Sequence, residues 1–192
     1  MADYENGPIN GNVDAWTINF GYIVSDTFVP DSSTVGSFDF GVWEYPGDKM
    51  TSVDWSITTQ ENGGTVLGAG TASGVGITDT FISVNMYGFN IDKITVTGLN
   101  VNVTSGSTYW LNLQNAVVPT GDPVYWDENS GVGCMSPGCP SLASESALGT
   151  IPGEAFTVHP FGVGTTPEPT SLLLFGSGTL GLIGALRRKI SL

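Results

Sequence analysis

A chain of 192 residues and 20.1 kDa has room for one domain and a tail. Charged residues make up 12 % and aromatics 10 %, and Gly numbers 27, about twice its usual share, which excludes a wholly disordered chain and a helical bundle. A net charge of −13 and a pI near 4.1 exclude DNA and RNA as partners, since phosphate binding needs clustered Lys and Arg.

The charge is unevenly placed. All eighteen acids lie between Asp3 and Glu168, a stretch whose only bases are Lys49 and Lys93. The remaining bases are Arg187, Arg188 and Lys189, and residues 170–186 carry no charge. This divides the chain into an acidic body (1–162), a linker (163–169), an apolar segment (170–186) and a basic end (187–192).

Within the body, apolar residues alternate with polar ones between frequent turn signals, the pattern of half-buried β-strands. Strands are expected over 35–45, 52–60, 80–86, 91–103, 107–114 and 154–158. In 52–60, Val53, Trp55 and Ile57 share a face opposite Asp54, Ser56 and Thr58; in 107–114, Tyr109, Leu111 and Leu113 oppose Trp110 and Asn112. Val24-Ser25-Asp26-Thr27-Phe28 is echoed by Ile77-Thr78-Asp79-Thr80-Phe81, a likeness too short for a structural repeat. Eight to ten short strands are expected in an all-β body, a two-sheet, jelly-roll-like sandwich.

The apolar segment reads TSLLLFGSGTLGLIGAL. At a helical rise its seventeen residues reach ~25 Å, the short end of what crosses a bilayer. Arg187, Arg188 and Lys189 follow at once, so a single transmembrane helix is expected with its C-terminal end in the cytoplasm.

Thr166-Pro167-Glu168-Pro169, then the apolar span, then Arg187-Arg188-Lys189 resembles a PEP-CTERM sorting signal, a tripartite tail of exported bacterial proteins. The resemblance covers residues 165–192. It implies recognition by an exosortase that cleaves near Pro167, Glu168 and Pro169, and a place in the cell envelope or an exopolysaccharide matrix. Exported proteins begin with a basic and then an apolar segment. This chain begins Met-Ala-Asp-Tyr-Glu-Asn, and the expectation is that a signal peptide has been removed.

In an exported chain, Cys134 and Cys139 around Met-Ser-Pro-Gly are expected to form a local disulfide rather than free thiols or a metal site. His159, the sole histidine, stands at the edge of the linker, a poor place for a desolvated catalytic base, and no catalytic residue is assigned. Two oxygen-rich stretches, one with Asp3, Glu5 and Asp14 and one with Asp122, Asp127 and Glu128, are the candidate ligands for Ca²⁺. In a sandwich both stretches can serve one ion, although no D-x-D-x-D-G loop is present. Trp55 is assigned to the core. Trp43 with Tyr45, Trp110, and Trp126 with Tyr125 are the candidate platform for sugar rings. These readings lead to a structural or adhesive surface protein, with an exopolysaccharide-binding module as the alternative.

Overall fold

The computed structural model describes residues 2–129 and 141–162. Fifteen strands follow one another along this stretch. The first five are β1 (Tyr4–Glu5), β2 (Ala15–Thr17), β3 (Ile23–Phe28), β4 (Thr34–Val35) and β5 (Ser37–Glu44). The middle five are β6 (Ser52–Gln60), β7 (Gly63–Ser73), β8 (Ile77–Val84), β9 (Asn90–Val96) and β10 (Val101–Asn102). The last five are β11 (Tyr109–Val117), β12 (Tyr125–Asp127), β13 (Ala143–Glu145), β14 (Gly149–Ile151) and β15 (Phe156–His159). Among the described residues no helix is long and apolar enough to cross a membrane; the expected span 170–186 lies outside them.

Two large sheets carry the fold. One has six strands in the order β14-β13-β3-β11-β6-β7, and the other has seven built around β5. Every pairing is antiparallel. On one side of β5 lie β9 and then β8; on the other, β15 pairs with Ser37–Phe40 while β12 pairs with Val42 and Trp43. Two short strands thus share one edge of β5, and the partner of β5 changes from one to the other at Gly41. Here Gly41 N donates to Ala155 O at 3.1 Å, and Ala155 N to Asp127 O at 2.8 Å.

Side-chain alternation explains the core. Phe38, Phe40 and Val42 on β5 align with Val96, Ile94 and Asp92 on β9 and point inward. Val24 and Phe28 on β3, Leu111 and Leu113 on β11, and Val53 and Ile57 on β6 come from the other sheet. The rings of Phe38 and Trp55, 6.2 Å apart, and of Tyr4 and Phe28, also 6.2 Å apart, join the two layers. Each fully buried Phe or Ile contributes roughly 1.5–3 kcal/mol of hydrophobic stabilisation.

The strand expected over 52–60 forms at those residues, whereas 35–45 and 91–103 each break into two strands. β7 lay outside the expected strands because it carries four glycines. Gly68 makes room for a larger neighbour: a Cβ there would sit 2.5 Å from Val101 Cγ2.

Gly41 has the same role where β12 and β15 meet. A Cβ there would lie 2.6 Å from Ile9 Cγ2 and 3.0 Å from Asp127 Cβ. Gly41→Ala is therefore expected to cost about 1–3 kcal/mol, as overpacking does. Urea denaturation reads this directly, and an unchanged midpoint would show that the N-terminal segment yields freely.

Candidate functional site

The N-terminal segment crosses the junction of β12 and β15 and brings five carboxyl groups together. Asp127 is the best satisfied: its Oδ2 accepts from Asn10 N (3.1 Å) and Gly11 N (3.3 Å), and its Oδ1 from Trp43 Nε1 (2.6 Å). Glu128 N donates to Asp14 O at 2.9 Å, and Trp16 Nε1 reaches Glu128 Oε2 at 3.4 Å. Glu128 also forms a β-bridge with Glu154. Trp16 lines a surface cleft of about 330 Å³ with Tyr22, Glu145 and Leu148.

Asp26 completes the group from the opposite sheet. It takes the inward position of β3 between Val24 and Phe28 and is fully buried. Its Oδ2 accepts from Glu154 N at 2.6 Å and from Asn6 Nδ2 at 3.0 Å; the same Nδ2 reaches Ser141 Oγ at 2.8 Å and Glu154 O at 2.7 Å. Asp26 Oδ1 and both carboxyl oxygens of Glu154 are buried without a hydrogen-bond partner.

Burial dominates the electrostatics of this group, because it penalises the charged form. It pushes Asp26 up to about 7, against hydrogen bonds from Ser141 and the Glu154 N–H. It pushes Asp127 up to about 6, against its Trp43, Asn10 and Gly11 donors. Glu154 is raised well above the usual carboxylate range by burial and then by the charges of Asp26, Glu128, Asp127 and Asp14. Glu128 is raised by burial, with Trp16 opposing.

A second cluster forms where alternation on β5 carries Glu44 inward. Glu44, Asp79 and Asp92 each offer an oxygen within 4.8 Å of the others. Lys49 Nζ closes the group at 2.5 Å from Asp92 and 2.7 Å from Asp79, and Met50 N donates to Asp79 Oδ2 at 2.7 Å. Burial, reinforced by the charges of Asp79 and Asp92 and opposed by that of Lys49, pushes Glu44 up to about 8. This cluster has its own cation; the first has none among the described residues that shift its carboxyls.

The aromatic platform differs from its expected membership. Trp126 is fully buried, its ring 5.9 Å from Phe40 and 5.6 Å from Phe156, and its Nε1 donates to Ala155 O at 3.1 Å. Trp110 and Trp43 are also buried. The phase of β12 accounts for Trp126, which pairs with inward-facing Val42. What reaches solvent is a group on the outer face around Phe89, whose ring lies 4.9 Å from Tyr45, 5.8 Å from Tyr125 and 5.8 Å from Trp43. Tyr87 stacks on Trp43 at 5.7 Å. Tyr45 and Tyr87 are exposed. Tyr87 and Phe89 were not among the expected residues.

Three of the expected calcium ligands stand apart from the carboxyl group. Asp3 Oδ2 accepts from Ser32 Oγ at 2.8 Å, Glu5 is exposed on β1, and the Asp122 carbonyl accepts from Asn19 Nδ2 at 3.0 Å. Asp14, Asp127 and Glu128 are brought together, and the sequence reading missed Asp26 and Glu154. His159, at the edge of the linker, ends β15, and its Nε2 pairs with Asp39 Oδ2 at 2.9 Å. Cys134 and Cys139 lie outside the described residues, as do Pro167, Glu168, Pro169, Arg187, Arg188 and Lys189.

A family model described as the PEP-CTERM protein-sorting motif matches residues 165–189. The tail is therefore a sorting signal of that kind, which implies an exported protein processed by an exosortase. No curated protein matches the chain.

The raised carboxyls set the pH response. A group whose pKa is higher in the fold keeps a proton that the unfolded chain has already lost, so stability falls as pH rises through that interval. For Asp26, Asp127 and Glu44 the interval opens at the ordinary values of 3.8 to 4.5 and closes at about 6 to about 8. Raising the pH from about 5.5 to about 8.5 is expected to remove roughly 4–6 kcal/mol of stability, at about 1.4 kcal/mol for each pH unit below a raised value. Denaturant midpoints at the two pH values measure it, and equal or rising stability would mean that these groups are ionised and paired in the fold.

Proposed function

We propose that residues 1–162 form a β-sandwich module displayed at the cell envelope or in the extracellular matrix, with a structural or adhesive, non-catalytic role. The match at residues 165–189 carries this reading, since it provides for export and processing. In it, residues 170–186 hold the precursor in the membrane with Arg187, Arg188 and Lys189 on the cytoplasmic side. Cys134 and Cys139 form a disulfide in the oxidising exterior. Intact-mass measurement of the mature protein from its own cells is expected to find a C-terminus near Pro167–Pro169. A full-length, membrane-held chain in cells with an active exosortase would defeat the proposal.

The exposed aromatic group favours a second reading, in which the module binds an exopolysaccharide. Tyr45, Tyr87, Phe89 and Tyr125 offer flat apolar faces, the three tyrosines with hydroxyls at their rims, and aromatic side chains of this kind dominate binding at such patches. Because the body is strongly anionic, a neutral polysaccharide is the expected ligand. Replacing Tyr45 and Tyr87 together by Ala is expected to weaken retention on a neutral polysaccharide column by about tenfold or more. If the wild-type protein is not retained, the first reading stands alone.

A further inference from the structure

We propose that Glu44, Asp79 and Asp92 hold a divalent cation, calcium by the chemistry of its donors. The three come from adjacent strands, β5, β8 and β9, with β9 in the middle, so ladder hydrogen bonds fix their spacing. Each offers an oxygen within 4.8 Å of the other two, a span that one calcium bridges with bonds of about 2.3–2.6 Å. Among the described residues no other set of three acids, histidines or cysteines converges in this way. Glu44 and Asp92 are fully buried, and both Glu44 carboxyl oxygens and Asp92 Oδ2 have no hydrogen-bond partner. Three carboxylates against the one ammonium of Lys49 leave two negative charges, which a divalent ion cancels.

Neither the lysine nor a proton completes this group. Lys49 Nζ takes one oxygen each of Asp79 and Asp92 and reaches neither oxygen of Glu44. Met50 N takes the other oxygen of Asp79. A proton shared between Glu44 and Asp79 serves one Glu44 oxygen and leaves the second, with Asp92 Oδ2, buried and unmet, which is costly. A cation engages these oxygens together and turns mutual repulsion into attraction. The donors are hard oxygens, which suits calcium or magnesium rather than a thiolate- or imidazole-seeking metal. Calcium accepts about six to eight oxygens in flexible arrangements, so it tolerates carboxylates that are already partly bonded; magnesium requires a near-ideal octahedron. Lys49 is half-exposed, so the group opens to solvent on its side and water can complete the shell. β8 pairs only with β9 among the described strands, and an ion shared by Asp79 and Glu44 ties this edge strand to β5 as well.

The choice of ion draws on export, since the exterior supplies millimolar calcium, but the site is testable on purified protein whether or not the sorting reading holds. Melting curves of the full chain in mild detergent, at about pH 8 and matched ionic strength, compare EDTA, calcium and magnesium. Calcium is expected to raise the melting temperature by about 5 °C or more, and magnesium by less. Glu44→Gln keeps the size of the side chain and is expected to fold but to gain nothing from calcium. Asp92→Asn should lose the increment too, and guards against misfolding of the first variant. Lys49→Met removes a competing positive charge, so half of the increment should be reached at a calcium concentration about tenfold lower than in wild type. A merely structural role for the cluster would not produce that shift. Glu61→Gln removes an exposed acid between β6 and β7 and should keep the increment. The proposal is overturned if calcium leaves the wild-type curve in place, if the increment survives in both Glu44→Gln and Asp92→Asn, if Glu61→Gln loses it, or if Lys49→Met needs more calcium than wild type.

Discussion

The interaction on which the rest of the molecule depends is the bond from Glu154 N to Asp26 Oδ2, together with the Asn6 amide beside it. Asp26 comes from β3 in the six-stranded sheet, while Glu154 lies in the segment that feeds β15 of the seven-stranded one. Apolar packing holds two sheets together without fixing their relative slide, because it is not directional. A buried hydrogen bond between them is directional, and in a low dielectric it is costly to break. Asn6 bonds Asp26, Ser141 and the Glu154 carbonyl at once, so the N-terminal segment, both sheets and the last strand share one polar knot.

The chain also has to place eighteen acids with few bases, and two solutions appear. The Glu44 cluster brings in Lys49 from the β5–β6 connection, which offsets part of the repulsion that raises Glu44. The Asp26 cluster relies on backbone and indole N–H donors, which satisfy Asp127 and leave Glu154 without any. Donors with partial charges stabilise a carboxylate where they reach it and do nothing for its neighbour, so the member without a donor is the one pushed toward its neutral, protonated form.

The strands with clean alternation, β6 and β11 above all, were legible in the sequence, because one face had to be apolar. β7 was not, since its Gly68 answers to Val101 from another strand, information that no local window contains. For the site, the oxygen-rich stretches revealed Asp14, Asp127 and Glu128. Asp26 left a trace that went unread: it occupies the core phase of Val24 and Phe28, and Asp79 does the equivalent in the echoing segment. Glu154 left none, because its burial follows from the β-bridge to Glu128, a contact between segments distant in sequence. Trp126 was misread because its acidic neighbours suggested a loop, whereas Val124 and Trp126 share an inward phase.

The placement of β15 has a mechanical consequence. The chain leaves the body from His159 at the end of a strand paired on one side with Ser37–Phe40 of β5 and on the other with β1. Tension on the C-terminal side therefore runs along β15 and loads its ladder in shear, with the hydrogen bonds sharing the force rather than opening one after another as in a zipper. The His159–Asp39 pair sits at the point where that force enters. Load that enters from the C-terminal side would pass into the centre of the larger sheet, not into a peripheral hairpin.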